Sequence, residues 1–409
     1  MLTPYYLAAL PNRFVDLWAG VENDIVAQIA RRLVRTNFTV GAASQWQIEK
    51  LQEMRFTRSK VVKELARATK KSDAEIRRAL IDAGTTGLKY DDALYRKAGR
   101  TVSDMAHSEA LRDVLQAGIA KTKGLCENFT RTTADTAQTA FYNAMDEAWM
   151  KMMSGAYSPQ QAITASVQKL AESGMEKVAY PVKREGHPGH TDRLEVAARR
   201  AILTGANQTT AQLQLARMDE MDCDLVEVTA HSGARPTHAV WQGQIYSRSG
   251  KTRGYKNFYA ETDYGSGDGL CGWNCYHNFY PYFEGISAPT FGREDQDFYE
   301  KDLRENNAQY ERQQEQRALE RRIREAKREC AALDAAMQDA QDAETERMLK
   351  ERFTKASVKL RNRKAKLTQF LDETGRGRQE EREWVEGFGR STAARATWAA
   401  RKAAQYPTP

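Results

Sequence analysis

Cysteine and proline are scarce in this 409-residue chain, at five and ten copies. The cysteines, Cys126, Cys223, Cys271, Cys275 and Cys330, are odd in number and widely scattered. That excludes the disulfide framework that staples small secreted domains, and it fits synthesis in a reducing cytosol. No stretch approaches the roughly 18 consecutive apolar residues that a membrane-spanning helix needs, so a soluble protein is expected. The opening MLTPYYLAALPNRF places no basic segment before its apolar residues. Thr3-Pro4 reads instead as a helix N-cap with proline at the first helical position, so the start is taken as mature structure without an export signal. Neither sign of charge dominates: 62 Lys and Arg face 55 Asp and Glu, a formal charge of +7 that is only mildly basic. Aromatic residues at 9% speak against wholesale disorder. At roughly 150 residues per domain the chain should hold two or three folding units.

What the chain does have is helical periodicity. From Asn12 to Arg35, Phe14, Trp18, Val21, Ile25, Ile29 and Leu33 recur every three or four residues, which aligns them on one helix face. Ser44-Gln-Trp-Gln47, Ser72-Asp-Ala-Glu75 and Ser158-Pro-Gln-Gln161 have capping-box form and mark helix starts. Gly84 and Gly174 are positioned to end two of these helices. Near Tyr180 prolines, glycines and histidines crowd into a loop-like stretch, and a domain boundary is placed there. His187 and His190 are read as a polar surface loop, not a metal pair. Two helices follow, through LEVAARRAILTGA and TTAQLQLARMDEM. At Val226 and Val228 the period becomes two, which predicts a half-buried strand, and a second strand is expected through Ala239–Tyr246, interrupted at Gly243.

His231, His238, Cys271, Cys275 and His277 carry the ligand types of a zinc site. Their spacing argues against it, since one residue between Cys275 and His277 makes joint chelation awkward. The favoured reading is a buried hydrogen-bonded knot with no bound metal, in which the histidines and Asn274 satisfy loop backbone groups; the zinc alternative would use His231, His238, Cys275 and His277. A cysteine nucleophile, Cys275 with His238 or His277 as base, ranks lower, because residue types alone supply neither reach nor an oxyanion pocket. Gly265-Ser-Gly-Asp-Gly269 lacks the Gly-Lys-Ser/Thr ending of a phosphate loop, so nucleotide binding is rejected and no cofactor is expected.

The run from His231 to Tyr246, HSGARPTHAVWQGQIY, with Gly272-Trp-Asn-Cys-Tyr-His-Asn-Phe-Tyr-Pro281 and Gly285-Ile-Ser287, resembles the phage minor capsid protein 2 family. That family is similar in turn to the MuF-type phage head morphogenesis proteins. The opening LTPYYLAALPNRFVDLWAGVENDIVAQIARRL and Ala197-Ala-Arg-Arg200 resemble it too, so coverage is nearly end to end. The resemblance implies a minor head protein of a tailed bacteriophage, made in the host cytoplasm, carried in the virion and associated with the portal or the capsid interior. It implies no established active site, so no enzyme is expected. His231, Arg235, His238, Trp241, Gly243, Asn274, Cys275 and His277 are then the structural motif that holds the middle domain together. Some MuF-type proteins carry fused toxin domains; the segment after Ser287 is helical and charged instead.

Farther on, Leu319, Ile323, Ala326, Cys330, Leu333, Met337 and Ala340 form a heptad seam. Leu349, Phe353, Ala356, Leu360, Leu367 and Phe370 form a second, with Arg363 at the intervening position. The two are out of phase across a polar break, which favours an antiparallel helical hairpin. Lys355, Lys359, Arg361, Arg363, Lys364 and Lys366 form a cluster without an intervening acid, a candidate for contacts with packaged double-stranded DNA or a solvated flank. The expected fold is mainly α with a small α+β middle domain: a helical region at 1–179, a MuF-like domain at 180–292, a charged coiled-coil hairpin at 293–374 and a tail at 375–409. Portal and capsid proteins are the expected partners, and self-association is compatible with the pattern.

Overall fold

In a computed structural model, which describes residues 1–35, 43–175, 178–180, 190–291 and 296–405, the helical periodicity of the sequence becomes a fold that is 72% helix. The first five helices are α1 (Pro4–Ala9), α2 (Asn12–Arg35), α3 (Ala43–Lys97), α4 (Glu109–Met153) and α5 (Pro159–Ser173). Strands β1 (Val178–Tyr180) and β2 (His190–Asp192) pair antiparallel before α6 (Leu194–Glu220). Then come β3 (Leu225–Val228), α7 (Pro236–Ala239), β4 (Ile245–Ser247), β5 (Lys256–Asn257), α8 (Phe258–Thr262) and β6 (Phe279–Pro281). The long α9 (Gln296–Met337), α10 (Ala343–Thr374) and α11 (Arg390–Gln405) complete the described chain. The second sheet has the order β5-β4-β3-β6; β3 is antiparallel to β4 and β6, while β4 and β5 are parallel.

Several helix ends follow the sequence. The Thr3 side chain caps α1 by accepting the Tyr6 amide, with Pro4 at the first position. At α5 the Ser158 hydroxyl accepts the Gln161 amide and the Gln161 side chain accepts the Ser158 amide, and Gly174 ends the helix at φ 68°. The helix at Asn12–Arg35 has the expected bounds, and its apolar face is buried.

Elsewhere the chain departs from the reading. Helix α3 begins beside Ser44, whose side chain lies outside the described residues, and it runs without a break through Ser72. Val61, Leu65, Ala68, Ser72 and Ile76 share helical spacing, so Ser72 occupies a place on the buried stripe and caps nothing. Gly84 does not end that helix either. A Cβ there would lie 2.7 Å from Leu213 Cδ1, so the glycine admits a neighbouring helix. The two helices expected after Arg193 are one, α6, because Gly205 again serves packing: its Cβ would lie 2.5 Å from Thr122 Oγ1. Strand β3 is covered on both faces, with the Glu227 carboxylate accepting the Thr290 and Phe291 amides at 2.7 and 3.1 Å. The second strand is shorter than expected. Helix α7, opened by Pro236, takes up Ala239, where that strand was expected to begin, and β4 begins only after Gly243, at φ 69°. His187 lies outside the described residues, and His190 is in β2.

The chain forms two compact units, each drawn from three stretches of sequence. The first comprises residues 1–15, 71–127 and 196–314. Its core gathers Tyr95, Met218, Val226, Trp241, Phe258 and Phe279. Helix α6 is buried over most of its surface and approaches its neighbours closely through glycine and threonine: Gly87 faces Thr210, Gly118 faces Thr209, and Gly205 faces Thr122. Asp91 is fully buried and receives the Gln214 amide at 2.8 Å. Burial holds its carboxyl at about 8, against the lowering effect of that hydrogen bond.

The second unit comprises residues 16–70, 128–195 and 315–409. Every apolar position of the expected seam from Leu319 to Leu333, and from Leu349 to Phe370, is buried. Arg363 contacts Glu325 and the Arg322 carbonyl, Lys359 contacts Glu329, and Cys330 faces Ser357. One residue number rises as the other falls, the order that antiparallel helices produce. Asp342 caps α10, and Gly375 ends it in the left-handed conformation.

Two outcomes test this packing. Gly118→Ala should lower stability by about 1–3 kcal/mol in denaturant unfolding, despite alanine's better helix propensity, and adding Thr209→Ala should restore part of the loss. Asp91 has a folded pKa above its unfolded value, so the unfolded chain sheds this proton first and stability should fall as pH rises from about 4 to about 8. Asp91→Asn should remove that slope in unfolding curves taken across this range.

A buried histidine and cysteine cluster as the candidate functional site

Three elements of the first unit converge beside β3. Helix α7 carries His238, the turn after it carries Trp241 and Gln242, and the segment before β6 carries Cys275 and His277. His238, Cys275 and His277 are each no more than 2% exposed. Cys275 Sγ lies 3.7 Å from His238 Nδ1 and 3.6 Å from His277 Nδ1. Trp241 packs against both rings, at 4.6 Å from His238 and 5.0 Å from His277 between centroids. His231 stacks on His277 at 4.4 Å, while its own Nδ1 turns to the Ser232 carbonyl.

The hydrogen-bond partners set the ring tautomers. His238 Nε2 lies 2.7 Å from the Asp268 carbonyl oxygen, which can only accept, so Nε2 carries the proton. His277 Nε2 lies 2.8 Å from Gln242 Oε1, and that same oxygen accepts the His231 amide at 3.0 Å. His277 Nε2 therefore donates as well. Both Nδ1 lone pairs are then directed at the one sulfur. Burial pushes the Cys275 thiol up to about 11, and burial, with the positive field of Arg235, lowers His238 to about 4. In the metal-free protein at neutral pH a protonated thiol thus faces a neutral His238 ring.

The remaining motif residues frame this cluster. Arg235 donates to the Trp273 carbonyl at 3.1 Å. Asn274, at φ 55°, donates its amide to Thr204 Oγ1 at 3.3 Å. A Cβ at Gly243 would lie 2.9 Å from Phe291 Cβ. Cys271 faces the His277 carbonyl at 3.6 Å and stands apart from the donor triad, as does His231. A pocket of about 540 Å³, lined by His231, Ser232, Gln242, Phe291 and Asn306 among others, adjoins the cluster.

The residues that hold this arrangement belong to no sequence motif. Asn207 on α6 donates to the Cys275 and His277 carbonyls at 3.1 and 2.9 Å and accepts from the Asn278 side chain at 3.0 Å. Gln214, two turns along the same helix, donates to the Phe279 carbonyl at 2.7 Å. Asn306 on α9 both donates to and accepts from the backbone of Ala234, at 2.9 and 2.8 Å. The only sequence signal for the first two is their seven-residue spacing on one helix face, and Gln208 and Gln212 beside them carry the same amide group, so residue type did not single them out.

Chemically the cluster has a base within reach of a thiol, as a nucleophile would require. The thiol is protonated at neutral pH and enclosed. The six basic residues proposed from sequence lie on α10, in the other unit. Lys359 pairs with Glu329 at 2.9 Å and with Glu172 at 3.3 Å, Arg363 with Glu325 at 3.4 Å, and Arg361 donates to the Ala400 carbonyl at 3.1 Å. Lys355 and Lys366 are exposed, and Lys364 is half-buried.

Residues 2–372 match the family model described as "Phage minor capsid protein 2". Over 282 residues the chain is 24% identical to a protein named "Structural protein" from Lactococcus phage LL-H, which covers 66% of this chain and 73% of the relative. No solved structure matches.

Asn207→Leu should leave two buried carbonyls and the Asn278 side chain without their partner. We expect a loss of about 1–3 kcal/mol per unsatisfied group by denaturant unfolding, and greater hydrogen exchange at the amides of residues 275–278.

Proposed function

Since this chain belongs to the phage minor capsid protein 2 family, a family of phage structural proteins, we propose that it is a low-copy head protein that docks on the portal or the capsid interior during assembly. In this reading it is made in the host cytoplasm, stays in the virion and accompanies DNA packaging or ejection without catalysing a reaction. The observation that carries the reading is the family match from residue 2 to residue 372. The relative from Lactococcus phage LL-H, itself named a structural protein, supports it. Met150, Met153, Trp384 and Trp398 are large apolar side chains left exposed in the second unit, which suits docking by apolar contact. Within the protein, the motif from His231 to His277 has a cohesive role, and α9 with α10 forms an antiparallel coiled-coil hairpin.

Contact with packaged DNA is a narrower proposal than the sequence suggested, because Lys359, Arg361 and Arg363 already bind groups within the chain. The exposed Lys355 and Lys366 are the residues that would reach phosphates.

Co-expression with the portal protein of the same phage should yield a complex that survives size-exclusion chromatography. A chain that stays alone in the presence of both portal and procapsid would sink the docking reading. In gel shifts, Lys355→Glu with Lys366→Glu should weaken DNA retention and flatten its dependence on salt if phosphates are contacted. Lys359→Glu should instead lower stability, by on the order of 1–3 kcal/mol, through the buried Glu329 carboxylate left beside it.

A further inference from the structure

We propose that His238, Cys275 and His277 form a zinc site that pins α7 to the segment entering β6. The three donor atoms lie within 4.8 Å of one another, and all three residues are buried. A tetrahedral zinc bound by thiolate at about 2.3 Å and imidazole at about 2.0–2.1 Å sets nitrogen and sulfur about 3.5 Å apart. The two separations here are 3.7 and 3.6 Å.

The hydrogen-bond pattern also fits a metal better than it fits a thiol. Both imidazoles turn Nδ1 to the sulfur because both Nε2 atoms donate outward, to the Asp268 carbonyl and to Gln242 Oε1. Outward donation to a carbonyl oxygen is how metal-bound histidines are oriented. A thiol has one proton and can satisfy one acceptor at a time, yet two Nδ1 lone pairs and the His277 carbonyl, at 3.8 Å, all face Sγ. A divalent cation accepts both nitrogen lone pairs and the sulfur together. The His277 amide, 3.4 Å from Sγ and donating to it, is positioned to stabilise a thiolate.

The one-residue interval between Cys275 and His277 is no obstacle here. Coordination through Nδ1, the ring nitrogen nearer the backbone, needs less reach than coordination through Nε2. Imidazole and thiolate together select zinc over the hard cations magnesium and calcium. With three protein donors, the fourth position falls to water or another small ligand. On binding, the Cys275 S–H bond breaks, its proton passes to solvent and a zinc–sulfur bond forms; no electrons are transferred. His231, stacked on His277 with Nδ1 turned away, is not a ligand.

The test uses the full chain, expressed with zinc in the medium and purified without chelator. Elemental analysis should give close to one zinc per chain. After metal exchange, cobalt should show the thiolate-to-metal charge-transfer band and the intense visible bands of a tetrahedral site. Cys275→Ser should abolish the charge-transfer band, and Gln242→Ala should weaken zinc binding roughly 10- to 100-fold by releasing His277. Cys271→Ser should leave both metal content and spectrum unchanged. Wild-type protein without zinc and without cobalt bands would overturn the proposal, even if Cys275→Ser failed to fold. Loss of the charge-transfer band in Cys271→Ser with retention in Cys275→Ser would equally overturn it.

Discussion

A helix buried over most of its surface has no water to turn to, so each polar side chain on it must find a partner within the protein. On helix α6 three polar side chains meet that constraint by reaching into the surrounding elements of the first unit. Asn207 takes the carbonyls of Cys275 and His277, Gln214 takes Asp91 and the Phe279 carbonyl, and Arg217 takes Asp92, Glu220 and the Ser103 carbonyl. These bonds fix the approach to β6 before any side chain of the His–Cys cluster is considered. The helix can lie so deep only because glycines on its neighbours, and Gly205 on itself, let backbones approach closely. Small residues thus supply proximity, and buried amides convert proximity into a defined loop conformation.

Seen from the cluster, the same logic explains why its atoms point where they do. His238 and His277 are each held at Nε2 by an acceptor from a different part of the chain, leaving no freedom to turn Nδ1 from the sulfur. Gln242 is the hinge of this network, since one side-chain oxygen takes both the His231 amide and the His277 ring. Trp241 fills the space against both rings.

Much of the helical architecture was legible because its signals are local. The stripe from Phe14 to Leu33, the capping box at Ser158 and the buried seam positions on α9 and α10 follow from periodicity and end chemistry within one segment. The failures share one cause, which is that tertiary contact reassigned a local signal. Ser72 has the spacing of a cap but lies on a buried stripe, and Gly84 and Gly205 look like breaks but are close contacts. Strand β3 alternates like a half-exposed strand, yet Glu227 is buried with its carboxylate bonded to two backbone amides. At the cluster, residue types were readable from sequence, whereas the choice of ring nitrogen depends on distant partners such as Asp268 that no spacing rule contains.

The interleaving of the two units has a consequence for biosynthesis. All segments of the first unit are present once residue 314 has been translated, whereas the second awaits residues 315–409. Helix α2 belongs almost wholly to the second unit, and two of its side chains, Asn23 and Arg35, bond to Glu386 and Asp339, 363 and 304 residues farther along the chain. Until those partners are translated α2 lacks part of its final setting, an interval in which an incomplete unit is open to aggregation.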